Sequence, residues 1–240
     1  MFQQNKKKSD IKYQLLVSII GLLLVFLLTI FPPIVTGDFP WRKMVIGSIF
    51  SIFCVLGILA VFSPNQCGKI FNKKKKTVGS DSTKLVSHGA SNVFQGHHLT
   101  CGKFTAHIFR IKDKTWCAAC VGLLLGGLLA LVGVSVYFFC DWQIAGHSSL
   151  MILFGIVGVS FGLFQFKFGN IVRLVVNTFF VLGTLLMLIG VDALIRSLVF
   201  DLFVISLIVF WLFTRISLSQ WDHEVICSGC ETENCSIANL

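Results

Sequence analysis

The chain has 240 residues, of which 55% are hydrophobic and only 13% charged. Soluble domains carry about a quarter charged residues, so the composition excludes an ordinary soluble globular domain. The net charge of +9 belongs to the intervals between apolar runs, and those runs are roughly twenty residues long, the length that crosses a hydrocarbon core as a helix.

Residues 1–12 form a basic arm with Lys6, Lys7, Lys8 and Lys12. Leu15–Ile34 is the first apolar run. It is longer than the apolar region of a signal peptide and has no small-x-small cleavage site after it, which predicts an uncleaved span. Pro32-Pro33 stops that helix. A short loop, Gly37–Lys43, places Trp41 at a headgroup level. Met44–Phe62 is the second span, and residues 1–62 are the first unit of the chain.

Residues 63–117 are the one long polar interval. The first half is a basic linker containing Lys73, Lys74, Lys75 and Lys76, lysines suited to an anionic lipid surface at about 1 kcal/mol each. The second half is a cysteine–histidine module. The third unit, 118–218, holds four further apolar runs: Ala118–Phe139, Leu150–Phe166, Leu174–Leu194 and Leu198–Leu218. Gly122, Gly126 and Gly127, and again Gly155, Gly158 and Gly162, are spaced as small faces for close helix packing. Residues 219–240 are a Cys-rich polar tail. The expected fold is an all-α integral membrane protein with six transmembrane helices and a small zinc-ribbon-like cytoplasmic cap.

With six spans, all but three of the 20 lysines and arginines fall on one side. The exceptions are Arg42, Lys43 and Arg196. Loops rich in Lys and Arg stay cytoplasmic, so the expected location is the cell membrane, multi-pass, with both termini cytoplasmic. The cysteines of the interval and the tail then share the reducing side, where clustered thiols read as metal ligands or redox centres rather than disulfides.

His98-x2-Cys101 is followed, after fifteen residues, by Cys117-x2-Cys120. This is the two-knuckle spacing of a zinc ribbon with one imidazole in place of a thiolate. Gly102 lets the first knuckle turn back. Ile108–Ile111 and Lys114–Cys117 flank Lys112-Asp113 as the arms of a small hairpin that brings the second pair beside the first. His97 and His107 are possible alternates. The tail repeats the theme with His223, Cys227, Cys230 and Cys235, either a second Cys3His site or further ligands for the first. The expected ion is zinc. An iron–sulfur cluster is the alternative, although the tail spacing departs from the ferredoxin run.

Within the spans, Asp192 and Arg196 are four apart and positioned to pair, with Asp201 close by in sequence. Asn177 and Gln165 are candidates for hydrogen bonds between helices. The module has no aromatic platform for nucleic acid, which argues against that partner. The lipid bilayer and an unknown protein remain.

The run His97-His98 … Cys101 … Phe104 … Cys117-x2-Cys120-x-Gly122-x3-Gly126 resembles a motif in a family of uncharacterised prokaryotic small multi-span membrane proteins. There a cysteine–histidine loop leads into C-x2-C and a glycine-containing span. The arginine usual between that family's paired cysteines is absent here, where Ala118 and Ala119 stand. The resemblance covers about thirty residues and implies a metal-bearing membrane protein without specifying a reaction. Two classes follow. One is a partner-binding cap folded by closed structural metal sites. The other is a redox, metal-transport or metal-dependent catalytic protein, in which a working ion keeps a coordination position open.

Overall fold

The computed structural model describes residues 2–34, 39–62, 108–111, 114–142 and 146–228. The expected lipid-contact lysines Lys73, Lys74, Lys75 and Lys76, and the expected metal ligands and alternates His97, His98, Cys101, His107, Cys230 and Cys235, lie outside these residues.

Six apolar helices and one hairpin make up the described fold. They are α1 (Phe2–Ile30), α2 (Arg42–Phe62), β1 (Ile108–Ile111), β2 (Lys114–Cys117), α3 (Ala118–Val134), α4 (Ser148–Leu163), α5 (Asn170–Ile195) and α6 (Leu198–Ser228). A π-helical turn, Ser135–Phe139, extends α3. Five helices are long and apolar enough to cross a membrane, and the sixth, Ser148–Leu163, is apolar but shorter. Large apolar side chains face outward along them, among them Leu23, Leu56, Val132, Phe154 and Phe179. In water such a surface would be unstable, whereas lipid solvates it, so these helices mark a membrane protein.

The basic arm belongs to α1 rather than preceding it, and α1 ends at Ile30, just before Pro32-Pro33. At the other end of the chain α6 runs ten residues past Leu218 to Ser228. Its 31 residues rise about 46 Å, against a hydrocarbon core of about 30 Å, so α6 extends out of the apolar layer. No proline or glycine interrupts the sequence between Leu198 and Ser228.

Helix α5 is the centre of the bundle and packs most extensively on α4 and α3. The glycines explain how. A Cβ on Gly122 would lie 2.4 Å from the Leu174 carbonyl oxygen, and one on Gly158 would lie 2.7 Å from that of Phe179. Thr178 uses the same proximity, donating its hydroxyl to the Gly122 carbonyl at 3.0 Å. Lipid tails are as apolar as leucine, so it is close backbone contact and interhelical hydrogen bonding that hold such helices together. On the far side, α1 is attached to α6. Trp211, fully buried, donates from Nε1 to the Ser18 carbonyl at 3.2 Å, and the Ser18 hydroxyl bonds that of Thr214 at 3.2 Å.

Gly158→Leu should therefore wedge α4 from α5 at a cost of about 1–3 kcal/mol, read as a lower melting temperature in detergent. Gly57, where a Cβ would meet nothing within 4 Å, is the control. Gly57→Leu should melt like the parent, and equal effects at both positions would refute the close-contact explanation.

Candidate functional sites at the two ends of the bundle

The hairpin forms at the expected residues. Its antiparallel register pairs Ile108 with Cys117, Phe109 with Trp116, Arg110 with Thr115 and Ile111 with Lys114. The strand β2 passes into α3 without a break, and Cys117 is the residue before the helix, with extended backbone angles. Cys120 follows one turn later. The hairpin thus delivers two cysteines to the start of a membrane helix, Cys117 buried and Cys120 half-buried.

Beneath them lies a set of buried cationic and amide side chains. Arg215 of α6 donates from Nε to Asn177 Oδ1 of α5 at 3.0 Å, and from Nη2 to Asn177 Oδ1 and to Gln165 Oε1. The guanidinium also stands 5.5 Å from the Phe180 ring centroid. Asn177 in turn donates to the Arg173 carbonyl at 2.6 Å. Arg173 donates from Nε to the Phe168 carbonyl at 3.2 Å, and its Nη2 is 3.5 Å from Asp222 Oδ2. Asn177 and Gln165 do bond between helices, with Arg215 as the bridge. Both cysteine thiols lie within electrostatic reach of Arg215, and Cys117 within reach of Arg173.

Cys117 and Cys120 are the only two of the eight expected metal ligands whose side chains are described. His223 and Cys227 fall on the last turns of α6, where four-residue spacing gives them one helix face, but their side chains lie outside the description. Among the described residues no group of three or more His, Cys, Asp or Glu is gathered to hold an ion.

At the opposite end, sequence spacing misassigned an ion pair. Asp192 does not pair with Arg196. The helix α5 ends at Arg196, whose backbone is left-handed at φ 54° and whose amide bonds the Asp192 carbonyl. Its side chain is exposed. The partner of Asp192 is Arg42, the first residue of α2. Arg42 Nη1 donates to Asp192 Oδ1 and also to Asp201 Oδ2 at 2.6 Å. The hydroxyl of Tyr137 donates to Asp192 Oδ2 at 2.7 Å. The π-helical turn ends α3 here with both Tyr137 and Phe138 buried, a common use of the wider turn at functional positions. Arg42 is 3% exposed and both aspartates 0%. Arg42 reads in the sequence as a loop charge near the membrane surface, yet it is the hub of a buried cluster joining α2, α3, α5 and α6.

Outside this cluster Lys43 Nζ pairs with Asp141 at 2.5 Å and stands 4.9 Å from the Tyr137 ring centroid. The Lys43 hydrogen bond and charge hold the exposed Asp141 carboxyl below the usual carboxylate range. Trp41 and Trp142 are exposed at the same end, as aromatic residues at a membrane–water interface often are.

No protein-family model, curated protein or solved structure matches the chain.

Proposed function

We propose that the chain is a cell-membrane protein of six spans with both termini cytoplasmic, in which a zinc-ribbon-like cap is anchored directly to a helix bundle. His98, Cys101, Cys117 and Cys120 hold one zinc ion, and His223, Cys227, Cys230 and Cys235 hold a second or complete the first. With four protein ligands the ion is closed to substrate, so the cap is a folded surface for a protein partner rather than a catalytic centre. The single observation that carries this reading is the hairpin that sets Cys117 and Cys120 at the mouth of α3 beside Arg215 and Arg173. A Cys3His zinc site carries a net charge of minus one, and the guanidinium groups offset it. The same residues fit an iron–sulfur centre less well, because the tail spacing is not that of a ferredoxin.

Metal binding here is folding energy for the cap. A strong chelator should lower the melting temperature of the purified protein, with the loss recovered on adding zinc. Cys117→Ser should melt low with or without chelator. A parent protein indifferent to chelator would overturn the structural role of the ion. Orientation has its own check. A membrane-impermeant maleimide on intact cells should label a variant whose only cysteine is the exposed Cys140 and leave unlabelled a variant whose only cysteine is Cys120. Labelling of Cys120 instead would invert the topology.

A further inference from the structure

The Arg42 cluster carries more negative than positive charge. Arg42 supplies one positive charge, and Asp192 and Asp201 supply two carboxyl groups, all of them buried. Among the described residues the surrounding elements do not balance it. Between Gln14 and Ile30, α1 has no ionisable residue, and Ser148–Leu163 has none at all. On α2 the next cation, Lys43, is taken by Asp141. On α5 and α6 the neighbouring cation is Arg196, whose side chain is exposed. From α3 only Tyr137 faces the site, as a neutral donor.

The two carboxylates also differ in how well they are solvated by the protein. Asp192 has a donor on each oxygen, Arg42 on Oδ1 and Tyr137 on Oδ2. Asp201 has Arg42 on Oδ2, while Oδ1 is buried without a hydrogen-bond partner among the described residues. An ionised carboxylate with one bare, buried oxygen is costly. Two carboxylates brought to one nitrogen cannot both stay ionised cheaply, and sharing a proton is the standard relief.

We propose that Asp192 and Asp201 form a proton-binding site, holding one proton on Asp201 against an Arg42–Asp192 ion pair. The cluster is then neutral, as its burial among four helices demands. A metal cation is a poorer occupant, because it would need several free oxygens where only Asp201 Oδ1 is available, and it would lie beside the Arg42 guanidinium. The site lies within about one turn of the ends of α5 and α6, close to the membrane surface. This proposal is independent of the metal cap at the opposite end.

Infrared spectroscopy of the full-length protein in lipid vesicles tests it, with the proton as the only ligand added. At neutral pH the parent should show one protonated-carboxyl stretching band that shifts in heavy water. The band should move when aspartate is isotope-labelled at its side-chain carboxyl, which identifies an aspartic acid without any substitution. Asp201→Asn mimics the protonated acid, so it should fold and lose the band, whereas Asp192→Asn should cost the Arg42 ion pair and melt lower than Asp201→Asn. Absence of the band in the labelled parent overturns the proposal. So does a band that survives in Asp201→Asn, or one abolished by sodium or potassium at constant pH.

Discussion

Arg42→Met should destabilise the folded protein by about 3–5 kcal/mol, the usual cost of removing one partner from a buried ionic cluster. Methionine matches the length of the arginine stem, so the cost is electrostatic rather than a cavity. Among the described residues Asp192 keeps only Tyr137, and Asp201 loses its one side-chain donor. At about 2–4 °C per kcal/mol for a chain of this length, the melting temperature should fall by roughly 10 °C. Asp201→Asn placed in the Arg42→Met background should recover part of that loss, because it removes one of the stranded charges. Thermal unfolding in detergent reads both effects. An Arg42→Met protein that melts like the parent would mean that the guanidinium is not the hub of the Arg42 end.

Asn177→Leu is the second substitution with a large expected effect, again about 3–5 kcal/mol. Asn177 Oδ1 receives both Nε and Nη2 of Arg215, and among the described residues only Gln165 Oε1 remains as an acceptor when it is gone. A buried guanidinium is then left short of acceptors in an apolar setting. Arg215→Met should cost less, about 1–3 kcal/mol, because it leaves two neutral amides unsatisfied rather than a charge. Since the two residues are in direct contact, the double variant should resemble Arg215→Met alone instead of the sum. Equal losses for Asn177→Leu and Arg215→Met, with an additive double variant, would contradict the bridge between α5 and α6. Loss of bound metal in Arg215→Met would show in addition that the cation offsets thiolate charge at the cap.

The two ends of the bundle differ in how much of them is legible in the sequence. The hairpin is local: two four-residue arms around Lys112-Asp113 can pair only with each other, and they do. The glycine faces of α3 and α4 are legible because small residues at fixed helical spacing have little other use in a membrane helix. By contrast Arg42 finds its partners 150 and 159 residues away, and no pattern along the chain announces so distant a contact. Beside a loop and next to Lys43 it reads as a topology determinant. The tempting local pair, Asp192 with Arg196, fails because the helix ends in a left-handed residue at Arg196, which carries that side chain off the helix face. The tail misleads in the opposite way. Its polarity suggests a separate segment, yet helix propensity continues through Ser228, and Asp222 reaches back to Arg173.

The central claim is that Cys117 and Cys120 belong to a zinc site, and elemental analysis of the purified full-length protein tests it most directly. The account predicts one or two zinc ions per chain, with at least one lost when Cys117 and Cys120 are both replaced by serine. Protein that is folded yet holds no metal would contradict it. Iron in place of zinc, with visible absorbance, would contradict the structural cap and favour an electron-transfer centre.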